Sequence, residues 1–426
     1  MIPEGPDVTI EALAAGGSGV AHLPDGMIVF VPRTAPGDQV RLNAVRVRKR
    51  HAEAQVAELL VAGPGRIEPP CPHFTADRCG GCQWQHLSAP TQQAGKRRIV
   101  GDALRRIGKL DVADPELVGS PRQLAYRTTM TLTVRRRGRH AVVGYHDAFD
   151  PDRVFMLDKC FIARDELNAL WAAVRPAADA LPHGEDVRLK LRLAADGTRH
   201  VMVDGGEGAW TGARQVEQAL ETAGQLATLW WQPPSGVTRR VGGAPGDQAE
   251  VAFAQVNAEV AELLKAAVVE QAGRREAGKA GRILDLYAGA GDTALPLAGQ
   301  GHDVTMVELD RRAVRRAEER AAAAGLTLRA IVGGVEAHLA KLLPADVVIV
   351  NPPRSGLSEE VATQLAASPP SRLVYVSCDP ATLARDLRRL AFVPITHHPS
   401  LITCFDMFPQ TSHVETLAVL DLKQAA

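Results

Sequence analysis

A cysteine at position 378 lies between a stretch that predicts a buried strand and one that predicts a helix. The sequence "YVSCDPATLARDL" covers residues 375–387. Tyr375 belongs to an apolar run, whereas Leu383 and Leu387 recur at the helical period, so Cys378 should lie in the turn between the two elements. Open α/β sheets carry their chemistry at such turns. Cys378 is therefore a candidate for chemistry, although a free cysteine is also often a small buried core residue.

Three further cysteines form a group whose spacing suits a metal site. They occur in "CPHFTADRCGGCQWQH" and are Cys71, Cys79 and Cys82. A C-x2-C turn directs two sulfurs at one point, so zinc and an iron–sulfur cluster both fit this pattern. His73 and His86 are candidates to complete a zinc site, and Cys160 in "VFMLDKCFI" is the best candidate for a fourth sulfur. A disulfide framework is not expected in a reducing compartment.

A glycine turn in the C-terminal part predicts a nucleotide-type cofactor. The sequence "GRILDLYAGAGDTALPLA" has the pattern of a buried strand, a turn and a helix. Gly289 and Gly291 allow backbone amides to approach a ligand closely, and Glu308 ends the next strand, where a carboxylate can accept hydrogen bonds from ribose hydroxyls. Because Ala294 completes a dinucleotide pattern with alanine in the last position, NAD and S-adenosylmethionine both stay open at this point.

Two later stretches favour a nucleic-acid methyltransferase over a dehydrogenase. "DVVIVNPPRSGL" predicts a strand that ends in Asn351 and two prolines, which make a rigid lip at the carboxyl edge of a sheet. "CFDMFPQTSHVETLAVLDL" brings Asp406, His413 and Glu415 just before the last apolar strand. A dehydrogenase would not need a cysteine, a proline lip and a late carboxylate together.

Length and charge indicate several domains and a basic surface in a neutral chain. The 426 residues suggest two or three domains, and 49 Lys and Arg balance 49 Asp and Glu. Residues 96–140 hold twelve Lys or Arg against four Asp or Glu, and residues 41–51 hold five basic residues and no acid. Such blocks can follow a phosphate backbone. We expect a cytoplasmic protein with no membrane contact, because no long apolar run occurs.

The patterns divide the chain into three regions and predict a multidomain α/β fold. Residues 1–62 contain five short alternating strands, as in a small barrel of the oligonucleotide-binding type. Residues 63–250 combine the cysteine group with alternating strands and a hairpin that turns at Asp196 and Gly197. In residues 251–426, strands and helices alternate, which predicts a Rossmann-like parallel sheet. A helix near 90–110 is expected to pack against this last domain.

Together these motifs resemble the RNA (uracil-5-)-methyltransferase family, in its cluster-containing branch that modifies 23S ribosomal RNA. The resemblance covers nearly the whole chain: "GSGVAHLPDGMIVFVPRTAPGDQV" is similar to a TRAM domain, and "CPHF…CGGCQWQH" is similar to the cluster motif. It implies SAM-dependent C5-methylation of a specific uridine and an RNA partner, without an obligate protein partner. A transfer-RNA substrate remains an alternative within the same family.

The resemblance also implies roles for individual residues. A 4Fe-4S cluster would be held by Cys71, Cys79, Cys82 and Cys160. The binding residues for S-adenosylmethionine would be Gln255, Tyr287, Gly289, Gly291, Asp292, Glu308 and Asn351. Cys378 would be the nucleophile that adds to carbon 6 of uracil, and Glu415 would be the base that removes the carbon-5 proton. The cluster is expected to be structural, with redox sensing as the minority hypothesis.

Two rival functions follow from the same residues. A radical enzyme would use both a cluster and S-adenosylmethionine, but four cysteine ligands would leave no iron open for it. A catalytically weakened RNA-binding member of the family is the other rival, because Asn351 stands where many members carry aspartate and so removes a charge near the methyl donor. Only the methyltransferase needs the Cys378 thiol for a covalent RNA adduct.

Overall fold

The computed structural model describes residues 5–234, 236–246, 255–274, 281–390 and 401–421. Within these ranges, three β-sheets follow one another along the chain; the first two have six strands each and the third has eight. No helix in the described ranges is both long and apolar enough to cross a membrane. The predicted multidomain α/β architecture is confirmed.

Short alternating strands build the N-terminal sheet. These strands are β1 (Asp7–Thr9), β2 (Ala12–Leu13), β3 (Gly19–His22), β4 (Ile28–Val31), β5 (Gln39–Val47) and β6 (Ala52–Val61). Their order in the sheet is β1-β5-β6-β4-β3-β2, and β1 also contacts β3, so the sheet curls on itself like a small barrel. In β5, Val40 and Leu42 are buried and Arg41 between them is not, as the period of two requires. The sheet thus has six strands where the sequence predicts five.

A helix and a strand that precede the central sheet pack on the C-terminal sheet. This connecting segment contains α1 (Pro72–Thr75), α2 (Ala89–Arg106) and β7 (Glu116–Val118). Val100 and Leu104 of α2 are buried in one apolar cluster with Leu383 and Leu387, as expected for the helix near 90–110. The strand β7 was not predicted; it forms the outer edge of the C-terminal sheet.

The central sheet is mostly antiparallel, with helices packed on it. Its strands are β8 (Thr129–Arg137), β9 (His140–Gly144), β10 (Val187–Leu193), β11 (Arg199–Asp204), β12 (Thr228–Gln232) and β13 (Arg239–Gly243), in the order β13-β12-β11-β10-β8-β9. The helices are α3 (Asp165–Val174), which continues as a 3-10 helix (Arg175–Ala180), and α4 (Ala213–Thr222). Leu170 and Trp171 of α3 are fully buried against the sheet. The hairpin predicted at Asp196 and Gly197 joins β10 to β11.

The C-terminal sheet has a parallel core that ends in an antiparallel edge. Its strands are β14 (Arg282–Leu286), β15 (Asp303–Glu308), β16 (Arg329–Val332), β17 (Val347–Val350), β18 (Arg372–Ser377), β19 (Leu401–Phe405) and β20 (Glu415–Asp421). The helices are α5 (Ala258–Ala272), α6 (Ala294–Gly299), α7 (Arg311–Ala323), α8 (Val335–Leu342), α9 (Glu359–Ala367) and α10 (Pro380–Leu390). Two apolar clusters include side chains from opposite faces of this sheet.

The strand order β16-β15-β14-β17-β18-β20-β19-β7 determines where a ligand can bind. Strands β14 to β18 are parallel, and the order reverses between β14 and β17. Ligands of open α/β sheets bind outside the carboxyl ends of the strands at such a reversal. The crevice at the ends of β14, β15 and β17 is thus the expected cofactor site. The domain boundaries 1–62, 63–250 and 251–426 stay a prediction.

Candidate active site and cysteine cavity

Cys378 lies in a rigid turn between β18 and α10, as the sequence predicts. The Ser377 hydroxyl donates to the Asp379 carbonyl (3.0 Å), and the Asp379 amide donates back to that hydroxyl (3.2 Å). The Asp379 carboxylate accepts from the Thr382 amide (2.8 Å), which caps the first turn of α10. The thiol is only partly buried. A partly exposed thiol on a fixed backbone is suited to react with a bound substrate.

Glu415 begins β20, the strand that pairs with β18. Because Ser377 pairs with Thr416, the Glu415 backbone lies beside the turn that carries Cys378. Glu415 is 4 % exposed. Burial raises the pKa of the Glu415 carboxyl to about 7, and the positive charge of Arg354 opposes this increase. Its low exposure shields the carboxylate from most water. Among the described residues, no side-chain hydrogen bond to it is found, so it is available as a base.

Arg354 is a cation near both Cys378 and Glu415 that the sequence reasoning did not select. Burial, and then the charge of Glu415, raises the pKa of the Cys378 thiol, whereas Arg354 lowers it. The hydroxyl of Thr382 donates to the Arg354 carbonyl (3.2 Å), which ties the proline lip to α10. The Arg354 side chain is exposed and forms no ion pair among the described residues. The sequence signal that could have identified Arg354 was its position directly after the two prolines.

The glycine turn after β14 has the close backbone geometry that the sequence predicts. Tyr287, Gly289 and Gly291 all adopt the left-handed region, with φ of 60°, 56° and 75°. A side chain at Gly291 would bring its Cβ to 3.1 Å from the Cβ of Ala317, so only glycine fits without a shift. The Gly289 amide donates to Glu308 (2.9 Å), which joins the turn to the end of β15.

The other residues predicted to bind the methyl donor differ in their exposure and contacts. Asp292 forms an ion pair with Arg320 (2.7 Å) while its side chain stays 70 % exposed. Asn351 is exposed at the end of β17. Burial raises the pKa of the Tyr287 hydroxyl to about 12. Gln255 is partly buried just before α5. The roles of these residues in binding the methyl donor stay predictions.

The four candidate cluster cysteines line one small cavity in the central domain. Cys71, Cys82 and Cys160 are buried and Cys79 is partly buried; all four are free thiols. The cavity measures about 20 Å³. Burial raises the pKa of the Cys79 thiol to about 12, so this thiol is neutral unless a cation binds beside it. The structure thus brings together three segments that are separated by up to ninety residues in the sequence.

In the described part of the chain, neither candidate histidine completes a zinc site at this cavity. Within the described residues, no three or more His, Cys, Asp or Glu groups are arranged to hold one ion. His73 accepts from the Asp158 amide (3.2 Å) and contacts Asp77 (2.7 Å), so both ring nitrogens are occupied. His86 is not part of the cavity lining.

Two arginines lie near the cysteine cavity without an ion pair in the described part of the chain. Arg127 lines the cavity, and its Nε is buried with no hydrogen-bond partner. Arg33 of the N-terminal sheet stacks over the Phe74 ring (4.2 Å) and donates to the carbonyls of Phe74 and Cys79. Because partly buried cations are stabilised by nearby negative charge, this pair suits an anionic group in the cavity.

Comparison with known protein families identifies the class of the chain. Residues 6–57 match the TRAM domain, residues 260–374 match the methyltransferase small domain, and residues 337–423 match the tRNA (Uracil-5-)-methyltransferase family. These segments coincide with the curled N-terminal sheet and with the sheet that carries the glycine turn and Cys378. The class is therefore an S-adenosylmethionine-dependent methyltransferase with an N-terminal TRAM domain, and the NAD alternative is wrong.

Individual relatives narrow this class to a family. An uncharacterized RNA methyltransferase of Gloeobacter violaceus is 34% identical and covers 97% of this chain and 96% of its own. A 23S rRNA (uracil(1939)-C(5))-methyltransferase of Chromohalobacter salexigens is also 34% identical, over 97% of this chain and 88% of its own. The chain belongs to the RNA (uracil-C5)-methyltransferase family. A solved structure, the Pyrococcus abyssi tRNA (uracil-54, C5)-methyltransferase with S-adenosyl-L-homocysteine, shares the fold, with a TM-score of 0.73, 22% identity and coverage of 97% and 100%.

Proposed function

We propose that this enzyme methylates carbon 5 of one uridine in 23S ribosomal RNA through a covalent bond between Cys378 and carbon 6. The observation that carries this proposal is the proximity of a partly exposed thiol, a buried carboxylate and a cation at adjacent strand ends. A dehydrogenase or a binding module would have no use for this combination. The choice of 23S over transfer RNA is supported by the relative with 34% identity over nearly the whole chain.

The chemistry explains why these residue types are needed. Carbon 5 of uracil is too weak a nucleophile to be methylated unaided. The Cys378 thiolate adds to carbon 6, and the electron pair released from the C5–C6 double bond makes carbon 5 nucleophilic. S-adenosylmethionine supplies the methyl group to carbon 5 and leaves as S-adenosylhomocysteine. Glu415 then takes the carbon-5 proton, the double bond re-forms and the thiolate is expelled.

The positive charge of Arg354 supports the attack by Cys378 and the proton removal by Glu415. Its proximity favours the thiolate of Cys378 over the thiol and keeps Glu415 ionised nearer neutral pH. The target uracil must leave its stack to reach the thiol. An exposed cation beside the active site is therefore also suited to bind a phosphate of the extruded nucleotide. Arg354 therefore joins Cys378 and Glu415 in the proposed active site.

A pH profile tests the proposed role of Glu415 as a base. A base works only when it is deprotonated, and the pKa of Glu415 is about 7. We expect the release of product from methylated adduct that has already formed to slow about tenfold for each pH unit below that value, because the thiolate attack, which also depends on pH, precedes this step. In Arg354→Met this decrease in rate should begin at a higher pH, because the loss of the positive charge raises the pKa of Glu415. Arg388→Met, which changes an exposed arginine of α10, is the matched control. A decrease that begins at the unchanged pH in Arg354→Met would contradict the role of Arg354.

We also propose that Cys71, Cys79, Cys82 and Cys160 hold a 4Fe-4S cluster. The convergence of four thiols on one cavity and the two nearby arginines support this part of the proposal. The cluster would place negative charge beside Arg127 and Arg33 and fix the fold of the cysteine loops. The methyl transfer has no net electron flow, so the role of the group is structural.

Metal analysis tests the cluster independently of activity. Anaerobically purified protein should contain about four irons and matching sulfide per chain. Cys82→Ala should lose most of this iron and its broad visible absorption, whereas Cys404→Ala should keep both, because Cys404 is buried in β19, away from the cavity. One equivalent of zinc in place of iron, or iron that persists in Cys82→Ala, would contradict the assignment.

A further inference from the structure

The segment between β19 and Glu415, residues 406–414, is here called the base loop. It begins after Phe405, ends at the proposed base and lies in the C-terminal domain. Many of its polar contacts, however, are made by the connecting segment and the start of the central domain. The residues that make them are Trp84, Gln92, Lys96, Val118, Gln123 and Tyr126. The position of the base therefore depends on a part of the chain about three hundred residues away.

One of these contacts is a reciprocal pair of hydrogen bonds between Gln92 and Gln410. Gln92 Nε2 donates to Gln410 Oε1 (3.0 Å), and the Gln410 backbone amide donates to Gln92 Oε1 (2.8 Å). The amide of Trp84 donates to the Gln410 carbonyl (2.9 Å), and Gln92 Nε2 also reaches the Trp84 carbonyl (3.1 Å). Gln92 and Gln410 are both buried. A buried amide pair with these bonds satisfied fixes one geometry of the loop.

The backbone at Gln410 shows why an external contact is needed. Its φ is 69°, in the left-handed region that residues other than glycine rarely adopt. Such a conformation persists only where the surroundings determine it. Gln92 and Trp84 supply this constraint by binding the amide and the carbonyl of the same residue. Without Gln92, we expect the turn at Gln410 to relax.

Lys96 and Tyr126 hold the part of the base loop that precedes Gln410. Lys96 of α2 forms a fully buried ion pair with Asp406 and donates to the Phe408 carbonyl (2.9 Å). The Tyr126 hydroxyl donates to the Pro409 carbonyl (3.0 Å). The loop is thus held at successive residues from Asp406 to Gln410, while the Glu415 carboxylate has no hydrogen bond of its own in the described ranges. Glu415, the first residue after the loop, pairs with Phe405, the residue before it.

We propose that Gln92 is a positioning residue for the last step of the reaction. It holds Gln410, and through the base loop it sets Glu415 at the distance from carbon 5 that proton removal requires. This inference rests on the proposed function. Its consequence is specific: loss of Gln92 should leave the attack of Cys378 and the methyl transfer intact, because in the described residues Gln92 and Gln410 form no hydrogen bond with β18 or the glycine turn. The release of the thiolate should become slow.

The test compares Gln92→Ala with Gln93→Ala, a matched change at the next position of α2. The Gln93 amide lies beside Gly119 instead of the base loop. With unmodified 23S ribosomal RNA and labelled S-adenosylmethionine, Gln92→Ala should release product about 10²-fold more slowly. A methylated RNA–protein adduct should accumulate on denaturing gels. Gln93→Ala should behave like the unchanged protein, and adding Cys378→Ala to Gln92→Ala should remove the adduct.

A second variant separates positioning from a general loss of structure. Gln410→Gly keeps the backbone amide and carbonyl that Gln92 and Trp84 bind, and it removes the cost of the positive φ. We expect it to release product faster than Gln92→Ala. Product release at the unchanged rate in Gln92→Ala, or a parallel loss of adduct and product, would overturn the inference. If Glu415→Gln accumulates adduct and Gln92→Ala does not, this inference fails alone; if neither does, the proposed covalent route fails with it.

Discussion

Replacement of Cys378 by alanine should abolish the formation of 5-methyluridine, with a decrease in rate of about 10⁴- to 10⁶-fold. Carbon 5 becomes nucleophilic only after the thiolate has added to carbon 6, so no other group of the site can substitute for the thiol. Labelled S-adenosylmethionine with nucleoside analysis of the RNA measures the product. Denaturing gels should show no covalent complex with RNA.

The control for this substitution is Cys404→Ala, which removes a thiol from the neighbouring sheet edge. Cys404 is fully buried in β19 and points into the apolar cluster that includes Val100 and Ala418. Its loss should reduce stability and leave the turnover of the folded protein unchanged. Binding of S-adenosylhomocysteine should survive in Cys378→Ala, because the glycine turn lies on different strands. Methylation that persists in Cys378→Ala would contradict the covalent mechanism.

Replacement of Glu415 by glutamine should separate methyl transfer from product release. The amide has the shape of the carboxylate but accepts no proton, so the methylated adduct forms and then persists. We expect turnover to decrease about 10²- to 10⁴-fold, the usual contribution of a general base. The measurement is the amount of methyl label that stays bound to protein after denaturation, compared with the amount released as modified RNA.

The fold of Glu415→Gln should not be weakened at neutral pH. Burial raises the pKa of Glu415 from its ordinary value to about 7, so the folded state holds a proton more tightly than the unfolded state. Above this pH the native protein carries a buried charge whose cost an amide avoids. Glu359→Gln, on the exposed start of α9, is the matched control. Rapid release of product by Glu415→Gln would show that another group removes the proton.

The turns around the active site could be predicted because each depends on a short stretch of sequence. A run of apolar residues, a cysteine and a helical period identify the β18–α10 turn, and glycines identify the turn after β14. The C-x2-C spacing likewise predicted that Cys79 and Cys82 lie close together, and both line the same cavity. Patterns within about twenty residues were sufficient for these features.

Contacts between distant segments could not be predicted in the same way. Lys96 and Asp406 form a buried pair across 310 residues, and neither residue differs locally from a solvated charge. Strand β7 has three residues and joins the C-terminal sheet only because α2 delivers it to the edge beside β19. Arg354 could be read as part of a proline lip, but its distance from Glu415 depends on how β17, β18 and β20 pair.

The most direct test of the central claim is one pair of incubations. Anaerobically purified protein receives labelled S-adenosylmethionine with unmodified 23S ribosomal RNA in one tube and bulk transfer RNA in the other, and the nucleosides are then analysed. We predict 5-methyluridine in the 23S RNA, and none in either pool with Cys378→Ala. Product in transfer RNA alone would contradict the choice of substrate. No product in either pool from folded protein would contradict the proposed function.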